Sequence, residues 1–152
     1  MAEFANYKFL ITNYKMVEIN NKTRSKIDLG LVRKTTEKFL KYYKLKGKEI
    51  SIAFVGDKTI KKLNKKYRNK DYITDVLAFV GEDNYLGEII IDYTQIKRQA
   101  KRFSGSVKEE LIFILVHGLL HLLGHEDKTV KGKKKMERLG KEFLKIKNIR
   151  NV

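Results

Sequence analysis

His117 to Asp127 reads His-Gly-Leu-Leu-His-Leu-Leu-Gly-His-Glu-Asp and holds all three histidines of a 152-residue chain. On an α-helix, residues four apart share a face at about 6 Å. Imidazoles at His117 and His121 can then reach one ion with metal–nitrogen bonds of about 2.0–2.1 Å. Gly124 stands where a helix ends in a left-handed turn, so the third ligand comes from beyond it. Two residues compete for that place. On a continued helix His125 would lie about 12 Å along the axis from His117, too far to share an ion. Asp127 stands three residues past the glycine, far enough to loop back. The expected ligand set is His117, His121 and Asp127, with His125 as the alternative third ligand. Three protein ligands leave a position for water, the catalytic rather than the structural arrangement. The donor set predicts one zinc ion per subunit, with another divalent metal as the alternative.

A lone pair of histidines four apart is a weak signal, because helix histidines are commonly satisfied by hydrogen bonds. Here the glycine break, the carboxylates beyond it and the absence of histidine elsewhere favour a metal. One residue argues against peptidase chemistry. Zinc peptidases of the H-E-x-x-H type carry a glutamate general base after the first histidine; this chain has Gly118 there.

The helix that must carry the pair announces itself. Ser106 and Glu109 form a capping box ahead of Leu111-Ile112-Phe113-Ile114-Leu115-Val116. That run is apolar all round, so the helix is expected to be central and buried. Around it the pattern predicts a first strand over Tyr14 to Ile19, a helix capped by Asp28 running to about Leu45, and a strand over Ile50 to Val55. Asp57 is expected to cap a second helix through Ile60, Leu63 and Tyr67. A hairpin follows, Thr74 to Val80 and Leu86 to Asp92, then a helix from about Thr94 to Phe103. A last helix spans about Lys134 to Lys147, with Met136, Leu139 and Phe143 inward. The fold class is α+β: about four strands in a mixed sheet, covered by helices, in a zincin-like arrangement around the histidine pair. One domain over 1–152 is expected, with 1–15 as a possible N-terminal extension.

Composition bounds the partners. Lys plus Arg number 34 against 18 Asp plus Glu, a formal charge of +16. Such a surplus favours a polyanionic partner such as nucleic acid. No cysteine is present, which removes disulfides and thiolate ligands. No apolar run reaches the ~18–20 residues that span a bilayer, and no secretory signal is legible. A cytoplasmic protein with no membrane partner is expected.

Three segments resemble one known family. His117-Gly-Leu-Leu-His121-Leu-Leu-Gly124 is similar to the signature of the YbeY family of bacterial metal-dependent endoribonucleases. Leu63-Asn-Lys-Lys-Tyr-Arg68-Asn-Lys-Asp-Tyr-Ile-Thr-Asp75-Val-Leu-Ala-Phe79 resembles its N-x-x-Y-R-x-x-D-x-x-T-[DN]-V-L-[SA]-F run. Leu86-Gly-Glu-Ile-Ile-Ile91 resembles its L-G-D-I-x-I strand. The likeness spans about residues 16–147. It departs at the third ligand, where the family usually has histidine and this chain has Asp127, with His125 at a position commonly aromatic. It departs again at Ile73 and Val80, where the family tends to have proline.

The resemblance implies a single-strand-specific, zinc-dependent endoribonuclease. The family acts in maturation of the 3′ end of small-subunit (16S) ribosomal RNA and in ribosome quality control. The implied partners are RNA, ribosomal RNA above all, and the small ribosomal subunit. The resemblance also makes Arg68 a catalytic residue, since a guanidinium holds two phosphate oxygens at once. Without it, Arg68 is one more cation on a lysine-rich helix. Lys65, Lys66, Lys70 and Lys128 could add a phosphate-tracking rim, and Tyr67, Tyr72 and Tyr85 could stack on unpaired bases, although helical spacing places Tyr67 in the core. No general base is identifiable from the residues; Glu126 and the metal hydroxide itself are the two candidates. Two rival readings stand beside this one: a metal-dependent hydrolase of another substrate, and a non-catalytic ribosome-associated RNA-binding factor.

Overall fold

A computed structural model describes residues 16–147. The expected extension over 1–15 and the Tyr14 start of the first strand lie outside the described residues. Among the described residues four strands form one sheet: β1 Val17–Asn21, β2 Glu49–Val55, β3 Val76–Val80 and β4 Tyr85–Asp92, in the order β1-β2-β4-β3. β1 and β4 both run parallel to β2, and β3 returns antiparallel along β4, so the sheet is mixed. β2 and β4 are apolar runs buried on both faces, as central strands between two helical layers must be.

Period-two alternation sorts the core. Ile50, Ile52 and Phe54 of β2, with Ile89 and Ile91 of β4, point to one face. There they meet helix α1, Leu29–Tyr42, and two later helices. Asp28 caps α1 by accepting the Leu31 N–H at 3.0 Å. On the opposite face Val55, Leu77 and Ile90 meet Ile60 and Leu63 of helix α2, Asp57–Arg68. α3, Tyr93–Gln99, widens into a π-helical turn over Ala100–Ser104 where an unbroken helix to Phe103 was expected. α4, Val107–Leu122, carries the histidine pair and buries Leu111, Leu115 and Leu119 against the sheet. Ser106 Oγ caps it by accepting from Glu109 N at 3.2 Å. α5, Val130–Lys147, starts four residues before the expected Lys134. The reason is Thr129, whose hydroxyl accepts from Gly132 N at 3.0 Å and opens the helix there.

β3 is an edge strand, closed onto β4 only because residue 87 is glycine. Gly87 has a φ of +144°, and a Cβ there would stand 2.2 Å from the Phe79 carbonyl oxygen.

Asp57 does not cap α2; Gly56 holds the cap position and Asp57 is the first helical residue. Its carboxylate is already engaged by the Arg98 guanidinium of α3 and by Asp92. Among the described residues no donor reaches Asp92 Oδ2, and the Asp92 side chain meets the Asp57 carboxylate. Two carboxylates bond only when they share a proton. Burial first, and Asp57 second, push Asp92 up from 3.8 to about 7, while the hydrogen bond from Arg98 holds Asp57 down at about 2. Asp92 therefore contributes stability that is complete below its unfolded value of 3.8 and is lost as pH rises through about 7. Asp57 contributes stability present above 3.8 and lost as pH falls through about 2. Thermal melts of Asp92→Asn, which keeps the caps of α3 and donates to Asp57 without a proton to lose, are expected to fall less between pH 5 and 8 than those of the wild type. Parallel profiles would refute the shared proton.

Candidate metal centre

The last turn of α4 sets two imidazoles side by side. His117 and His121 have ring centroids 4.7 Å apart at 81°, and their Nε2 atoms stand 3.1 Å from each other. After Leu123 the chain turns at Gly124, whose φ is +93°, a conformation that glycine adopts without strain. The turn sends residues 125–127 back over the helix end. Asp127 Oδ2 thereby comes to 3.1 Å from His117 Nε2 and 3.8 Å from His121 Nε2. Among the described residues, these three each offer one ligand atom within 4.8 Å of the others. Tetrahedral ligands at 2.0–2.1 Å from one ion sit about 3.3 Å from each other, and the three separations bracket that value.

The donor chemistry fits a cation as well as the distances do. His121 Nδ1 donates to the His125 carbonyl oxygen at 2.9 Å, which leaves the Nε2 lone pair facing the cluster. A ligating histidine is characteristically oriented in this way by a bond from its other nitrogen. Burial, followed by the His117 charge, holds the His121 imidazole below its usual pKa, and ligands must be deprotonated. With both Nε2 atoms unprotonated, two lone pairs and a carboxylate oxygen converge, and a positive ion between them stabilises that arrangement.

His125 is placed otherwise. It contributes its backbone carbonyl, and its ring does not join the group. Burial, then the Lys135 charge, holds that ring below its usual pKa. Glu126 is exposed and its carboxylate lies 3.8 Å from Lys128 Nζ, outside the cluster.

Gly118 has a packing reason to be glycine. A Cβ there would stand 3.1 Å from Ile89 Cγ2 and 3.2 Å from Val76 Cγ2. The position faces the sheet, so α4 can lie close to β3 and β4 only without a side chain.

Arg68 arrives from the other face. It ends α2, where Asn69 takes the left-handed C-cap conformation. Buried Asn64 donates from Nδ2 to the Tyr72 carbonyl at 3.0 Å and pins the loop that follows. The Arg68 guanidinium donates to the Ala78 carbonyl on the open edge of β3 at 2.7 Å and lies 5.6 Å over the Phe79 ring. It is thereby held on β3, the strand whose Val76 packs against Gly118 of α4, and after burial and the His117 charge its own charge adds a last push downward on the His121 pKa. Asn64 stands in a quoted motif, yet its role was not assigned from sequence. A buried side-chain amide bonded eight residues on leaves no periodic trace.

Lys65, Lys66, Lys70 and Lys128 are all exposed. Lys65 lies 3.8 Å from Asp71 and Lys128 3.8 Å from Glu126. Tyr67, expected in the core, is 39% exposed and leans edge-on against Phe79 at 5.5 Å. It sits at the margin of the sheet edge, where the core has run out. Tyr72 is exposed. Tyr85 is half-buried and bonded to Ser51, and burial pushes the pKa of its hydroxyl up, so it offers no open stacking face.

A family model described as Endoribonuclease YbeY matches residues 10–148, beginning a few residues before the likeness read from the motifs. The endoribonuclease YbeY of Ureaplasma urealyticum is 48% identical over 105 residues, 65% of this chain and 68% of that protein. That of Bacillus licheniformis is 38% identical over 112 residues, 64% of this chain and 71% of its own length. A Thermotoga maritima protein solved in solution matches at a TM-score of 0.59 and 26% identity, over 87% of this chain and 91% of the other.

Proposed function

The chain belongs to the endoribonuclease YbeY family, and from that premise we propose that it cuts unpaired ribosomal RNA at the centre formed by His117, His121 and Asp127. The convergence of three donor atoms, with Arg68 bonded to the edge strand that packs against their helix, in a chain of charge +16, carries this reading. The donors suit one zinc ion per subunit. When bound, such an ion supplies an activated water and neutralises charge developing on the phosphate.

The chain's own residues do the rest. His121, fixed by the His125 carbonyl, and His117 would hold the ion together with Asp127. Arg68 lies across the edge of β3 with donors to spare after its bond to Ala78. A guanidinium there clamps two oxygens of the scissile phosphate and stabilises their added charge. Exposed lysines on α2 and after the metal loop, Lys65, Lys66, Lys70 and Lys128 among them, attract the strand and make binding salt-dependent.

Membership of the family supports a ribosomal setting for this proposal: processing of small-subunit RNA, ribosome quality control and contact with that subunit, in the cytoplasm. Among the described residues no helix is long and apolar enough to cross a membrane.

The test is incubation of zinc-loaded protein with single-stranded RNA, duplex RNA and casein. Cleavage of single-stranded RNA alone is expected. Casein hydrolysis would favour a peptidase-like enzyme, and salt-sensitive RNA binding without cleavage would favour a non-catalytic factor. Arg68→Ala is expected to lower kcat by about a hundredfold to a thousandfold with zinc content unchanged. Arg68→Lys restores little, because an ammonium cannot make the two-pronged contact. Undiminished kcat in both variants would remove Arg68 from the reaction.

A further inference from the structure

α4 is buried on most sides, but one stripe of it opens to solvent. Glu109, Phe113, His117 and His121 stand four apart and share that stripe. Leu111, Ile112, Ile114, Leu115 and Val116 are all buried, whereas Phe113 in their midst is 45% exposed. Its ring stacks toward the His117 imidazole, centroids 6.4 Å apart and planes at 27°. On its inner side it borders a crevice against α5, lined by Met136, Gly140 and Leu144, of only about 20 Å³. That space takes a single water at most. Whatever uses the open part of the ring comes from solvent, one helical turn (about 6 Å) from a metal ligand.

We propose that Phe113 is the stacking platform for the base next to the cleaved phosphodiester, a role that rests on the ribonuclease reading above. Stacking tolerates every base because each has a π face, and it needs that face free. A base locked in a duplex has its faces covered by its neighbours. The same contact that seats the strand therefore demands that the strand be unpaired beside the cut. The other exposed aromatics serve this less well. Tyr67 is held edge-on by Phe79 and covered by Lys66 at 5.1 Å, the Phe103 ring is covered by Arg102 at 5.3 Å, and Tyr72, exposed too, stands in the loop after α2 and not on the helix of the histidines.

The rival role is mechanical, with Phe113 only steadying the His117 ring or covering the seam to α5. The chain has no tryptophan, so Phe113→Trp introduces a single indole. In zinc-loaded protein its emission is expected to be quenched by single-stranded RNA and not by duplex RNA. Phe113→Ala and Phe113→Leu are both expected to raise KM for single-stranded RNA about tenfold to a hundredfold. Neither is expected to change kcat or zinc affinity, since the lost contact is uniform binding. Leucine keeps the apolar cover but has no π face, so wild-type KM in Phe113→Leu overturns the proposal. Loss of zinc affinity in step with activity overturns it too, and points to the mechanical role. Quenching without any cleavage by the wild type leaves the platform standing and sinks the nuclease reading. Cleavage with an unquenched indole sinks the platform alone.

Discussion

His117→Ala is expected to abolish stoichiometric zinc binding and to slow RNA cleavage by about a thousandfold or more, the several kcal/mol that a metal supplies at a phosphoryl oxygen. His117 Nε2 is the hinge of the cluster, 3.1 Å from both His121 Nε2 and Asp127 Oδ2. Two donors alone do not hold zinc in the three-ligand catalytic pattern. Asp127→Ala is expected to lose zinc as well, while His125→Ala keeps it. His125 serves through its carbonyl oxygen, which survives the substitution. Elemental analysis of the purified variants, set beside cleavage of single-stranded RNA, reads both effects. Zinc retained in Asp127→Ala and lost in His125→Ala would exchange the third ligand. Full cleavage by metal-free His117→Ala would move the reaction away from this centre.

Gly118→Glu is expected to destroy the fold rather than to create a peptidase. The first added carbon already meets Ile89 and Val76 at 3.1 and 3.2 Å. The rest of a glutamate side chain would enter the apolar layer between α4 and the sheet, where an unpaired charge costs several kcal/mol or more. A domain's whole stability is about 5–15 kcal/mol. Gly118→Ala is the milder control: overpacking costs about 1–3 kcal/mol, partly offset by the roughly 1 kcal/mol that alanine gains over glycine inside a helix. Circular dichroism melts and a casein assay decide the matter. A folded Gly118→Glu with an unchanged melting temperature would show that the helix stands farther from the sheet.

The histidine pair could be read directly because both residues lie on one turn of one helix, where spacing is geometry. The buried helix itself was legible in Leu111 to Val116, and the hairpin in two apolar runs around Gly81 to Asn84. Boundaries were read less well wherever a single side chain decided them. Thr129 starts α5 four residues early, and Asp57 gives up the cap of α2 to Arg98 and Asp92. Tyr67 had helical core spacing yet stands at the sheet margin, half in solvent, because periodicity says which face a residue shares and not how far the core extends.

By itself the sequence determined the local arrangement: which helix carries the donors, that Gly124 ends it, and that the surface is strongly cationic. It left Asp127 and His125 both open, and only the path of the turn brings one carboxylate to the imidazoles while the neighbouring ring stays out. It left Arg68 as one cation among many, and only the strand order, with β3 on the edge, lets a guanidinium from α2 bond the strand that packs against the histidine helix. It hid Phe113 within an apolar run, where only packing shows which face stays open. The physical reason is the same in each case. Spacing along a chain sets contacts within a turn or two, whereas contacts between elements are set by how their buried faces fit together.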